Sequence, residues 1–152
     1  MVDRLTTAQR RLNMARIRGV DTTPERILRS ALHRAGFRFR LHLRDLPGRP
    51  DLVLRRYSAV VFVHGCFWHR HPECLYATAP KTKAQFWADK LDSNRERDAR
   101  QVKSLLQRGW RVLVVWECSL RKAAEREAVA ARAISWIRGK STFAEIPTRP
   151  RR

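Results

Sequence analysis

The chain has 152 residues, 43% of them hydrophobic and 31% charged, which fits one globular domain around one core and excludes a low-complexity or disordered chain. Lys and Arg number 33 against 14 Asp and Glu, a formal net charge of +19 that points to a polyanionic partner, nucleic acid before an acidic membrane. No apolar run approaches the ~20 residues of a membrane span, and no basic amphipathic helix, lipidation signal or leader-type apolar segment is visible, so no membrane partner and a cytoplasmic, nucleoid-associated location are expected.

Residues 1–20 carry Arg4, Arg10, Arg11, Arg16 and Arg18 against Asp3 and read as a basic DNA-contacting arm. Thr22 or Thr23 can cap a helix, Pro24 suits its first turn and Gly36 its end, with Ile27, Leu28, Ala31, Leu32 and Ala35 at helical spacing between them. Phe37 to Leu43 alternates apolar and basic residues and reads as a half-exposed strand. Leu46-Pro-Gly-Arg-Pro50 is a turn, and Asp51 to Leu54 a short strand. Ala59 to Val63 is continuously apolar and rich in valine, as in a strand buried on both faces. An irregular stretch, 64–80, precedes a long helix over about 83–108, which Gly109 can close. A second buried strand covers 110–116 and a last helix about 123–137. Strands bracketed by helices predict an α/β domain over 21–140, a mixed central sheet covered on both faces. Residues 141–152 read as a basic tail.

Three cysteines in a cytosolic chain argue against a disulfide framework. Two of them fall in His64-Gly-Cys-Phe-Trp-His-Arg-His-Pro-Glu-Cys74, with three histidines. Cys66, His71 and Cys74 have the form C-x4-H-x2-C, and Cys118 follows a predicted buried strand. Four such N/S donors suit a closed tetrahedral Zn²⁺ site, although spacing alone does not say which His completes the set. Structural zinc supplies ~10–16 kcal/mol of apparent free energy in small zinc peptides, enough to order a loop of this length.

Asp51 opens a strand, and thirteen residues later the neighbouring strand ends at His64. A carboxylate at a strand end can hold a hard cation such as Mg²⁺. Water must also be activated, and His, with an unperturbed pKa of ~6.5, suits that task; His64 and His69 are the candidates. Glu25, early in the first helix, could orient such a His.

The runs Leu46-Pro-Gly-Arg-Pro-Asp51, Val63 to Cys74, Phe86-Trp87, Asn94-Arg-Glu-Arg-Asp98 and Gly109 to Cys118, with Asn13-Met14 and Asp21 to Glu25, closely resemble the very-short-patch repair endonucleases, the Vsr family. The likeness spans about residues 8–138. It implies a restriction-endonuclease-like core with structural zinc at Cys66, His71, Cys74 and Cys118. It implies a nick in one strand of duplex DNA 5′ to the T of a T·G mismatch left by 5-methylcytosine deamination. Mg²⁺ would be held by Asp51 and the Val63 carbonyl, with His69 as base, Glu25 its orienting partner, His64 a second catalytic group and Asp98 a supporting carboxylate. Many nucleases of this fold carry an acid and a Lys two apart on the strand after the Asp. Here that strand reads Val61-Phe-Val-His64, which agrees with the repair subfamily.

Apolar wedges pry base steps open at weak points in a duplex. The resemblance makes Phe67, Trp68 and Trp87 the intercalating set, and Met14, Lys90 and Asn94 the contacts to the mismatched bases. It favours a monomer. Two other readings fit the charge: a non-catalytic zinc-containing DNA-binding module, and a nuclease of the same fold with broader mismatch or defence targets.

Overall fold

A computed structural model describes residues 22–148. The basic arm, Met14 and the terminal residues 149–152 lie outside them. Among the described residues three α-helices, α1 (Thr23–Arg34), α2 (Ala84–Gln107) and α3 (Ala123–Arg138), pack on five strands, β1 (Arg40–Leu41), β2 (Leu52–Leu54), β3 (Ala59–His64), β4 (Arg111–Trp116) and β5 (Phe143–Ile146). The strands lie in the order β1-β2-β3-β4-β5, antiparallel from β1 to β3 and parallel from β3 to β5. This is the expected mixed sheet flanked by helices. Among the described residues no helix is long and apolar enough to cross a membrane.

The two-residue side-chain period of the strands builds two cores from one sheet. Leu52, Leu54, Ala59, Val61, Leu113 and Val115 face Leu28 and Leu32 of α1 and Val129, Ala133 and Ile137 of α3. Val53, Val60, Phe62, Val112, Val114 and Trp116 face Leu105 of α2 and the cysteines of the loop after β3. Val60, Val61, Val112 and Leu113 are fully buried, which is why β3 and β4 are apolar without alternation.

Two expectations are corrected. The alternation over 37–43 yields only Arg40–Leu41 as strand, because Phe37 leaves α1 into the core and His42 takes a left-handed φ of 49°. Residues 141–152 are not all tail: Phe143–Ile146 pair with Val112–Val115 as the edge strand β5, and buried Ile146 joins the core.

Candidate active site

Pro50 is buried and Asp51 immediately precedes β2, beside the end of β3. Register pairs Leu52 with Val61, so Val63 extends past the end of β2. The Val63 N–H donates to Asp51 Oδ2 at 2.6 Å instead. In a strand the N–H and C=O of one residue point to the same side, so the Val63 carbonyl also faces the Asp51 edge. A carboxylate and a carbonyl there are the hard oxygen donors that a Mg²⁺-type cation takes. Burial pushes the Asp51 carboxyl up to about 7, against the Val63 hydrogen bond and with the negative field of Glu25. A nearby cation would offset that cost.

Asp51 lines a cleft of about 340 Å³ together with Gly48, Arg49, His64, His69, Arg97 and Asp98. His64, the last residue of β3, is buried and stacks on His69, ring centroids 3.9 Å apart and 5° from parallel. Burial, then His69 and Arg97, hold the His64 imidazole well below its ordinary range, so it is neutral. Asp98 of α2 bonds His69 Nδ1 at 2.5 Å. That bond fixes Nδ1 as the protonated nitrogen and leaves the Nε2 lone pair available.

Glu25 differs from expectation. It is almost fully buried, and Oε2 accepts the Thr22 N–H at 3.3 Å in a capping box at the start of α1. Its other oxygen hydrogen-bonds His42 Nε2 and lies 3.7 Å from Arg29. Glu25 therefore pairs with His42 and not with His69, whose carboxylate partner is Asp98. Sequence reasoning missed His42, Arg49 and Arg97. Only Arg97 carried a signal: Asn94, Asp98 and Gln101 sit three or four apart on one face of α2, with Arg97 beside them.

The second cluster lies on the same face of the sheet. Cys66, His71, Cys74 and Cys118 are all buried, and one ligand atom from each falls within 4.8 Å of the others. None is in a disulfide. The neighbouring Cys118 thiol and burial push Cys66 up, burial does the same to Cys74, and burial keeps His71 neutral with a lone pair to give. Thiols crowded in this way fit a soft dication, whose charge would favour the thiolates.

This cluster anchors an aromatic group. Phe67, Trp68 and Trp87 are half-buried and belong to neither core; they meet edge to face with centroids 5.1, 5.5 and 5.9 Å apart. Asn94 Nδ2 donates to the Trp68 carbonyl at 3.1 Å, so that side chain holds the loop. Lys90 is exposed four residues earlier on α2. Arg70 ties the loop to Asp92 of α2 at 2.5 Å.

The sequence profile of the family described as DNA mismatch endonuclease Vsr matches residues 2–75. The DNA mismatch endonuclease Vsr of Escherichia coli is 43% identical over 150 residues, covering 97% of this chain and 96% of that one. A type II nicking enzyme of Xanthomonas oryzae pv. oryzae, V.XorIIP, is 47% identical over 128 residues, 84% of this chain and 93% of its own. Another, V.NmeAIP of Neisseria meningitidis, is 41% identical over 124 residues, 82% and 88% of the two chains. Similarity of this extent, over a mixed sheet with one acid-and-imidazole cleft, establishes that the chain belongs to the DNA mismatch endonuclease Vsr family and is an endodeoxyribonuclease.

Proposed function

We propose that the enzyme nicks duplex DNA in one strand, 5′ to the T of a T·G mismatch, by hydrolysis with Mg²⁺ at Asp51 and structural Zn²⁺ at Cys66, His71, Cys74 and Cys118. The observation that carries the reading is the convergence of Asp51 with the His64–His69–Asp98 array in one cleft. The relatives' names, a DNA mismatch endonuclease and nicking enzymes, support the substrate and the single-strand cut.

Asp51 and the Val63 carbonyl would hold the cation. A divalent ion bound there polarises the phosphate and stabilises the leaving oxygen. His69 would take a proton from water at Nε2, and Asp98, bonded at Nδ1, stabilises the imidazolium that results. His64, neutral and stacked on His69, would donate a hydrogen bond to a phosphate oxygen without adding a second charge. Arg49 and Arg97 line the cleft, where cations suit a scissile phosphate. Phe67, Trp68 and Trp87 would enter the base stack at the mismatch, while Met14, Lys90 and Asn94 contact its bases. Unstacking costs a few kcal/mol, least at a mispair, so a rigid wedge favours mismatched sites.

The test is nicking of a panel of end-labelled duplexes carrying each mismatch in turn, with Mg²⁺. The expected product is one nick 5′ to T at T·G, abolished in Asp51→Ala. Equal cutting of matched duplex, or unchanged cutting by Asp51→Ala, overturns the reading.

A further inference from the structure

His42 has no part in the scheme above, yet its ring stands between two carboxylates. Nε2 hydrogen-bonds Glu25 Oε1 and lies 3.6 Å from Asp51 Oδ1. One donor atom from each of Glu25, His42 and Asp51 falls within 4.8 Å of the other two. The three arrive from separate elements: the first turn of α1, the residue after β1 and the residue before β2. The His42 backbone is left-handed, φ 49°, a conformation unfavourable for a non-glycine residue. Leu41, just before it, is exposed, whereas the His42 side chain is 16% exposed. The kink at the edge of the sheet thus carries an imidazole inward to a pair of acids.

A hydrogen bond to Glu25 alone does not use this arrangement fully. Nε2 carries at most one proton, and Asp51 at 3.6 Å is beyond its reach as a second acceptor. A cation among the three would engage all of them. We infer that His42 is a nitrogen ligand to the divalent cation, alongside Glu25 and Asp51, and that it biases this site toward a first-row transition ion such as Mn²⁺ over Mg²⁺. Mg²⁺ takes oxygen donors and keeps its waters, while an imidazole nitrogen adds affinity for ions further along the Irving–Williams order. The inference rests on Asp51 being a metal ligand.

The experiment is a Mn²⁺ titration of the zinc-loaded full chain without DNA, followed by electron paramagnetic resonance, with pulsed detection of ¹⁴N coupling to the bound ion. Wild type should bind Mn²⁺ more tightly than Mg²⁺ and show nitrogen coupling. His42→Gln should lose the coupling and at least about tenfold in Mn²⁺ affinity, with Mg²⁺ affinity, read by competition, nearly unchanged. Wild-type Mn²⁺ without nitrogen coupling, or coupling that survives in His42→Gln, overturns the role of His42 and leaves the Asp51 reading standing. Equal losses for both ions also overturn it, since His42 would then only position Glu25. Undiminished Mn²⁺ binding in Asp51→Asn overturns both.

Discussion

The His64 and His69 rings lie face to face with centroids 3.9 Å apart, and only His69 has a carboxylate, Asp98, on its far nitrogen. Two positive charges at about 4 Å repel by about 4 kcal/mol at an effective dielectric of 20, so the stack accepts one proton, not two. Asp98 orients His69 alone, and His69 is the base in the proposed reaction. His69→Ala should therefore lower single-turnover nicking by about 10²–10⁴-fold. Asp98→Asn should lower it by about 10–100-fold, because Nδ1 keeps a polar partner but loses the charge that favours imidazolium. Asp98 acts through His69, so the double variant should be no slower than His69→Ala. Multiplicative losses in the double variant would show that Asp98 works elsewhere.

Asp51 gives a pH-dependent stability that can be isolated by substitution. Its carboxyl is raised from 3.8 to about 7 by burial. Between those values the folded chain keeps a proton that the unfolded chain has released. Stability from this group is thus fully present below the lower value and lost as pH rises through the upper one. Asp51→Asn cannot ionise and escapes the loss. With no Mg²⁺ or Mn²⁺ added, the variant should gain on wild type by about 2 kcal/mol between roughly pH 5.5 and pH 8 in urea unfolding. Added cation at the upper pH should narrow the gap by stabilising wild type alone. A gap independent of pH would mean that Asp51 is ionised throughout.

What could be read in the sequence depended on how locally each feature is encoded. β3 and β4 were legible because both faces are buried, leaving unbroken apolar runs such as Val112 to Val115. Two cysteines and three histidines lie within eleven residues, so a metal-binding stretch over 64–74 stood out before any geometry, while the choice of His71 among the three needed the fold or the family resemblance. β5 was not legible: Phe143-Ala-Glu-Ile146 is four residues beside a basic terminus, and its strand conformation comes from pairing with β4. His42 was hidden inside an apparent alternation of strand residues, and its inward turn depends on a positive φ that no pattern reveals. The exchange of partners between Glu25 and His69 has the same cause. Glu25 and His42 are 17 residues apart and His69 and Asp98 are 29 apart, so sequence named the carboxylates but not which imidazole each would meet.

The cluster of Cys66, His71, Cys74 and Cys118 should be coupled to the cleft through Trp116. Its indole stacks on His71 at 4.1 Å, 7° from parallel, and meets the His64 ring edge-on at 5.3 Å. Cys118→Ser should lose one zinc per chain by elemental analysis and lower stability by several kcal/mol. Loosening His71 should also free Trp116, shifting tryptophan emission and slowing nicking even in the molecules that stay folded. A variant that retains zinc and parental stability would exclude Cys118 as a ligand.

Gly48 tests how tightly the wall of the cleft is built. Its φ is +78°, and a Cβ there would stand 2.8 Å from Gln101 Oε1 and 3.1 Å from Phe62 Cε1. The Gln101 amide can swing aside, but Phe62 is a buried residue of β3. Gly48→Ala combines a left-handed backbone cost of about 1–2 kcal/mol with pressure on the strand that ends in Val63 and His64. A Tm drop of about 4–8 °C is expected, at roughly 2–4 °C per kcal/mol for a chain of this size. Nicking should fall about tenfold, because Asp51 lies three residues further along the same turn and must stay in register with the Val63 N–H. Gly36→Ala provides the control. Gly36 has φ +98° and open space around its missing Cβ, so it carries the backbone cost without the clash. That variant should lose stability with nicking unchanged. If the two alanine variants lose activity alike, the effect comes from general destabilisation and the contact with Phe62 has no part in shaping the cleft.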